Sequence, residues 1–476
     1  MITLNDVRIP DFIKVNKVDF SVLPPIENNL LSVRGKAGLY NFGQQVGQRQ
    51  FTVAFTLVAE KINGVMSASR EFADWLNHKE AVKLVFDDEP DKYYLVLPDG
   101  ETNLTEVANI GQGEVTFVCT EPYAYGKEHV FEYSPPDTEP FYVETKGTAE
   151  SHPKIELTMK KDVNAISVIS DEGFVMIGEP AGVEDTVKDV NPVVLFDDMS
   201  TTNLWTTATS VEGGIITGEL ESNGYSFHVK NQDYGEGSKW HGASAIRSLP
   251  REVTDFHVQA KLGMVGDELK QVTRIDIMLL DSNNECFGKL EFADKWNNQA
   301  RQVFEARAGK LTGGHYFINE FSETAWHDFK GIVHITRTGN KWTASIGKYE
   351  ESLKDYRSRT YAEWVDTKGI ATNKLAKIQI NIATYGTNTP YKDAYVDDIT
   401  VFERLTLQAG EVPIIARKGD VLTIDNEKAV VLKNGEPFYE GLNPASDFFT
   451  FKKGMNGLSL SPASADINIT YKERWL

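Results

Sequence analysis

Residues 51–59 read FTVAFTLVA, and their alternation decides the kind of fold to expect. Phe51, Val53, Phe55 and Leu57 fall on one side, with Thr52, Ala54 and Thr56 on the other. That is the two-residue period of a half-buried strand. Working outward, Asn63-Gly64 is a turn signal. Ala68, Phe72, Trp75 and Leu76 then recur at helical spacing. This predicts one amphipathic helix over 67–79, capped by Ser67 or Ser69, with Glu71 in its first turn. Strands return at 82–86, 93–97 and 113–120, parted by Asp87-Asp88-Glu89-Pro90 and Pro98-Asp99-Gly100.

After Tyr123-Ala124-Tyr125 the pattern loosens, and Ser134-Pro135-Pro136 with Pro140 reads as a linker. Strands are predicted again at 155–159, 165–169 and 174–177, before an acidic, loop-rich stretch to Asn191-Pro192. From 193 to 404 the character changes. Six of the eight tryptophans lie there, and strand-like runs recur at 256–262, 274–280, 331–337, 341–346, 378–383 and 394–402. Short strands with turns between them and little helix make a two-sheet sandwich of jelly-roll type. Beyond 405 short strands resume, two of them flanking the hairpin signal Asn434-Gly435. Neither 136–192 nor 405–476 can bury a good core alone. Together they make one β-sandwich, with a domain inserted in a loop where closure entropy tolerates it. The expected fold is mainly β: an N-terminal domain with one helix over 1–135, a discontinuous sandwich from 136–192 and 405–476, and an inserted jelly roll over 193–404.

Composition narrows the function. The 476 residues carry a net charge of −20, which disfavours phosphate backbones and anionic membrane surfaces, so neither nucleic acid nor membrane is expected as a partner. The segment 193–404 holds 24 basic and 29 acidic residues, so most of the acidity lies in the flanks. Cys119 and Cys286 make no disulfide framework or zinc spacing. No secretory signal or apolar span is read, and folding in a cytoplasm is expected.

Three stretches of the flanks together resemble the distal tail (Dit) proteins of siphophages. One is Arg70-Glu71-Phe72-Ala73-Asp74-Trp75-Leu76 followed by 84–94. The second is 117–125, Phe-Val-Cys-Thr-Glu-Pro-Tyr-Ala-Tyr. The third runs from Gly419-Asp420-Val421 through Asn434-Gly435, 442–449 and Lys453-Gly454-Met455-Asn456 to Tyr471-Lys472-Glu473-Arg474-Trp475-Leu476. The resemblance implies an N-terminal β-barrel belt that closes a hexameric ring, and a galectin-like sandwich outside it. It implies a hub joining the tail tube protein to a tail-associated fibre or lysin protein, in a virion tail tip assembled in the host bacterial cytoplasm. The insert departs from the short family form and looks like the carbohydrate-binding module of an "evolved" hub. It weakly resembles concanavalin-like jelly rolls through Phe196-Asp197-Asp198, Trp326-His327-Asp328-Phe329 and Val396-Asp397-Asp398-Ile399.

Sugar binding needs flat aromatic faces beside amide or carboxylate side chains. Trp240, Trp296 with Asn297, and Tyr385 with Asn388 each sit among polar, turn-forming residues, and are the saccharide candidates; the alternative is structural packing, as for Trp342 within a strand. Asp197, Asp198, Asp397 and Asp398 lie near the two ends of the insert, where carboxylates would hold a structural Ca²⁺ or serve as exposed turn residues. No cofactor is required. The alternating carboxylate signature of jelly-roll glycoside hydrolases is absent, and Glu291 and Asp294 are three apart, the wrong parity for one strand face. No Gly-x-Ser-x-Gly elbow, HExxH or P-loop occurs, and His315, His327 and His334 have no ligand spacing. Asp87-Asp88-Glu89 is a solvated loop or a contact to basic residues of a neighbouring subunit.

The expected function is a non-enzymatic tail hub whose insert binds host cell-wall polysaccharide. The alternatives are a wall-polysaccharide hydrolase and a structural baseplate protein whose insert contacts other tail proteins.

Overall fold

A computed structural model describes residues 2–60, 64–107, 109–266, 270–299, 301–322, 324–350 and 355–476. The chain divides into two compact units, Met1–Pro180 with Ile415–Leu476, and Ala181–Ile414.

The first unit has two cores. Its N-terminal sheet runs in the order Val7–Arg8, Ile2–Leu4, Val82–Phe86, Tyr94–Asp99, Ile110–Cys119, Gln50–Val58, Ile13–Phe20, with Leu104–Val107 also on Ile110–Cys119. Phe51, Val53, Phe55 and Leu57 are all buried, as their alternation requires. The helix Val65–Leu76 turns Val65, Phe72, Trp75 and Leu76 inward, and Phe72 meets Phe55 edge-on with centroids 4.8 Å apart. It starts two residues before the expected position. Gly64 is the N-cap residue, without a side-chain cap, and Ser69 donates to the Met66 carbonyl at 3.0 Å instead. Asn63 lies outside the described residues. Among the described residues the sheet is open: Val7–Arg8 and Ile13–Phe20 are its end strands and do not pair with each other.

From Phe20 the chain enters an arm. Ile26–Ser32 and Leu39–Val46 pair with each other as a separate two-stranded sheet, and every residue of both is exposed. Leu30, Leu31, Leu39 and Phe42 are each about half open to solvent or more.

The second core is a sandwich. One sheet has the order Ala124–Tyr133, Ala465–Trp475, Lys154–Met159, Val421–Asp425, Val430–Lys433, Glu436–Pro437; the other runs Phe141–Thr145, Gly454–Ser461, Ala165–Ser170, Phe174–Gly178. Ile155, Leu157, Val168, Val175, Leu422, Ile424, Leu460 and Ile469 fill the space between them. Asn434 and Gly435 both have positive φ (51° and 82°), as a two-residue hairpin turn demands. The segment read as loosening after Tyr123 is in fact a strand of this sheet. Ala124–Tyr133 pairs with Ala465–Trp475 through a bulge, and its polar residues face outward, which hid it from an apolar count. Arg474 reaches back from the last strand to Glu121 at 2.8 Å and Glu427 at 3.0 Å.

The second unit holds two eight-stranded sheets. One has the order Leu220–Ser222, Phe227–Val229, Asp393–Glu403, Phe256–Val265, Phe329–Thr338, Lys341–Glu350, Asp355–Val365, with Val193–Asp197 also on Asp393–Glu403. The other runs Thr206–Thr207, Trp240–Val253, Leu375–Tyr385, Thr273–Leu280, Cys286–Asp294, Gln302–Ala308, His315–Ser322, with Gly214–Gly218 also on Trp240–Val253. Their facing sides share one core, including Ile275, Ile277, Phe292, Ile380, Val258, Val333, Val401 and the fully buried Trp342. Thr186–Lys188 pairs in parallel with Glu411–Pro413, and Lys188 bonds Glu411 at 2.8 Å. The segments flanking 193–404 therefore close on each other and belong to the inserted unit. Among the described residues no helix is long and apolar enough to cross a membrane.

Candidate functional site

Trp240 opens one strand of the second sheet and Tyr385 closes its neighbour. The register sets them opposite each other, edge to face, with centroids 5.4 Å apart. Tyr385 keeps 44% of its surface exposed. Trp240 is half-buried, with the Arg274 guanidinium 5.0 Å from its ring. The Gly386 N–H donates to the Lys239 carbonyl at 3.0 Å, and the His241 ring reaches the Tyr234 and Gly386 carbonyls at 3.0 and 2.8 Å. The loop behind Tyr385 is thus tied to the start of its neighbour.

At the same end, Cys286–Asp294 runs out into Trp296 and Asn297. Asp294 accepts from the Trp296 N–H at 3.1 Å. Asn297 Nδ2 donates to Asn388 Oδ1 at 2.5 Å, and Asn388 Nδ2 to the Tyr385 carbonyl at 2.7 Å. Arg301 covers the Trp296 ring at 4.8 Å. The five residues selected for sugar binding therefore meet at one end of one sheet, joined through amide hydrogen bonds. Tyr385 offers the most open ring of the three aromatics.

The four acids selected for calcium are distributed differently. Val193–Asp197 does pair with Asp393–Glu403, placing Asp197 opposite Ile399. Asp197 is buried, ion-paired with Arg247, and accepts from Trp205 Nε1 at 2.7 Å. Asp198 caps the Ser200 N–H at 3.0 Å. Asp398 holds Lys261 at 2.9 Å. Asp397, half-buried beside Asp398, has its pKa pushed up to about 6, mainly by burial. Alternation of the strands sends these carboxylates to separate partners, and among the described residues no three acidic, His or Cys side chains converge on a metal-sized site.

Composition and single-strand parity overlooked the polar row on this sheet, on the face turned away from the core. Cross-strand register aligns Ser244, Asn381, Asp276, Glu291, Glu305 and Asn319 on adjacent strands. Arg274, Lys289 and Lys295 interleave: Arg274 lies 3.1 Å from Asp276, and Lys289 and Lys295 each lie 2.5 Å from Glu291. Burial alone would raise the Glu291 pKa, but Lys289, Lys295 and Arg274 outweigh it and hold the carboxylate well below the usual range. Asp276, fully buried, is shifted upward by desolvation despite Arg274 and Lys289. One signal was available: Arg274-x-Asp276, Lys289-x-Glu291, Glu305-x-Arg307 and Gln379-x-Asn381 each repeat polar residues two apart within a strand. Asp294 turns instead toward Tyr391 (2.9 Å) and Gln302.

A strap crosses this row. Between Thr206–Thr207 and Gly214–Gly218 the chain leaves the sheet edge and meets successive strands. The Ser210 carbonyl accepts from Gln379 and the Glu212 carbonyl from Arg274, each at 2.9 Å. The Glu212 carboxylate then takes a two-pronged bond from Arg307, whose side chain is wholly buried. Beyond the strap lies a pocket of about 390 Å³ lined by Val211, Met278, Leu280, Cys286, Leu311 and Gln379. Burial pushes the Cys286 thiol there up to about 12, so it stays protonated and inert.

Residues 11–119 match the family model of a phage tail protein RIFT-related domain, and residues 397–475 that of a siphovirus-type tail component, C-terminal domain. No curated protein matches the chain in sequence. Among solved structures, the chain is similar to the CBM2 module of the evolved Dit of Lactobacillus casei BL23 phage J-1 (14% identity, TM-score 0.40, covering 46% of this chain and all of that one). It is also similar to the SPP1 Dit protein, titled a paradigm of hub adsorption apparatus in Gram-positive infecting phages (9%, 0.40, all of both chains). A third is the catalytic LamA of Zobellia galactanivorans (10%, 0.30, 45% of this chain and 98% of that one). Two tail-component domains at the two ends of one chain define a component of a siphovirus-type phage tail. The C-terminal match is to the siphovirus-type (Dit) tail component, and the inserted unit lies between the two matched segments for most of its length.

Proposed function

We propose that this chain is the hub subunit of a siphophage tail tip. It closes a ring with copies of itself, six by the family's pattern. It joins the tail tube protein to the tail-associated fibre or lysin protein, and it binds host cell-wall saccharide through the inserted unit. The observation that carries the binding role is the gathering of Trp240, Tyr385, Trp296, Asn297 and Asn388 at one sheet end, with Tyr385 open to solvent. An aromatic face beside fixed amides matches the apolar and hydroxyl sides of a pyranose. Several linked copies turn weak single sites into avidity.

The ring role is supported by the arm. A two-stranded hairpin exposed on both faces is marginal alone in water, and Leu30, Leu31, Leu39 and Phe42 leave it an apolar surface to cover. A hydrolase reading fits less well. A general acid needs a raised pKa and access to substrate, whereas Glu291 is buried and clamped ionised by two lysines.

Fluorescently labelled full-length protein should decorate intact host cells, and Tyr385→Ala should not. Equal decoration by both would move the ligand elsewhere. No decoration by either would favour an insert that contacts other tail proteins, and sugar release from purified walls would favour the hydrolase.

A further inference from the structure

Resting on the saccharide reading above, we infer that the inserted unit recognises a terminal or branching sugar unit and not an internal stretch of a linear polysaccharide. The strap decides this. A chain threading across the polar face of the sheet would have to lie over Asn381, Asp276, Glu291 and Glu305. The strap already spans that face through Ser210 and Glu212, which bond Gln379, Arg274 and Arg307 on three different strands.

The floor beneath is closed as well. Asp276 and Asn381 are 0% and 1% exposed, and Glu291 is 3% exposed, so no sugar hydroxyl reaches them from outside. The covering is fixed chemically. Glu212 meets the wholly buried Arg307 with both carboxylate oxygens and has Lys289 at 4.0 Å. Releasing it would strand a buried guanidinium, at a cost far above that of a surface ion pair.

On the side of the strap away from the pocket lined by Leu280 and Cys286, the sheet end carrying Trp240 and Tyr385 stays open. There Gly214 sits so close to Trp240 and Arg274 that a Cβ would fall 2.9 Å from the Trp240 carbonyl and 3.1 Å from Arg274 Nη2. The strap thus forms the back wall of the site. Tyr385, Asn388 and Asn297 line the front. A site with a wall on one side and solvent on the other accepts the end of a glycan. Glu212 is accordingly a positioning residue for ligand length, without contact to the sugar.

The test uses full-length protein and a glycan array. The array carries linear oligosaccharides of glucose, galactose, N-acetylglucosamine and rhamnose, from one unit to six, coupled through their reducing ends. Binding should appear with the shortest members and level off by the disaccharide, with a disaccharide-to-hexasaccharide ratio of dissociation constants near one. A ratio of about tenfold or more, worth about 1.4 kcal/mol, would overturn the inference while leaving saccharide binding intact. The same series on Glu212→Ala, checked for folding by near-UV circular dichroism, should acquire length dependence. A flat series in a folded Glu212→Ala protein would also overturn the strap as its cause, and Glu212→Gln, which keeps the strap's shape, supplies the comparison should Glu212→Ala not fold. Failure of every array sugar together with undecorated host cells would instead remove the underlying saccharide reading.

Discussion

The carboxamides of Asn297 and Asn388 meet at 2.5 Å across 91 positions of sequence. That bond joins the loop of Trp296 to the loop of Tyr385, so each aromatic depends on the other's support.

Tyr385→Ala should lower host-cell binding by about tenfold or more with little change in melting temperature, because the ring is 44% exposed. Asn388→Ala should weaken binding less, by freeing the loop. Binding isotherms on whole cells beside thermal melts separate the two effects. Loss of stability in Tyr385→Ala comparable to a core substitution would assign the ring to packing.

Phe42→Asp or Leu31→Asp in the arm should shift the oligomer toward monomer in light scattering. Both side chains are exposed in the single chain, so its melting temperature should hold in the monomer. Unchanged mass in both variants would take the arm out of the ring contact.

Glu212→Ala leaves Arg307 buried without its carboxylate. Breaking such a pair typically costs about 3–5 kcal/mol, read by urea unfolding of the inserted unit's transition. Replacing both partners with apolar residues of similar size should recover most of the loss. An additive double variant would argue against the pairing.

Asp294 is buried, and burial pushes its pKa up to about 6 against the opposing bonds from Trp296 and Tyr391. The unfolded value is near 3.9, so between these two pH values the folded state binds the extra proton. This group's contribution therefore favours folding at low pH and fades as pH rises through about 6. The stability difference between wild type and Asp294→Asn should change across that window and be flat above it, by urea melts at stepped pH. A difference constant from pH 4 to 7 would contradict the upward shift.

Much of the fold was legible because strands report their own faces. Phe51, Val53, Phe55 and Leu57 alternate, and the helix stripe through Phe72 and Leu76 recurs at its own period. Trp240–Val253 was missed because Gly242, Ser244 and Pro250 dilute its apolar pattern, and Cys286–Asp294 because Lys289 and Glu291 read as surface. The three candidate aromatics stood out because each ring lay among turn residues, and the structure brings them to one sheet end. Single strands showed the polar row only as polar residues two apart, not as a row. Asp276, Glu291 and Glu305 become neighbours only through pairing register, which a linear reading does not contain. The strap was hidden for the same reason: nothing in Ser210-Val211-Glu212 names Arg307 as its partner.

The strand Ala465–Trp475 lies between Ala124–Tyr133 and Lys154–Met159, and this orders events on the ribosome. The early half of the sandwich emerges with its central position vacant and must wait while the whole inserted unit is made. The insert, continuous in sequence, completes its own pairings in the meantime. The sandwich is sealed only once Gly454–Ser461 and Ala465–Trp475, which follow the insert in sequence, have been made, so a chain cut short of them would carry a finished insert on an open sandwich.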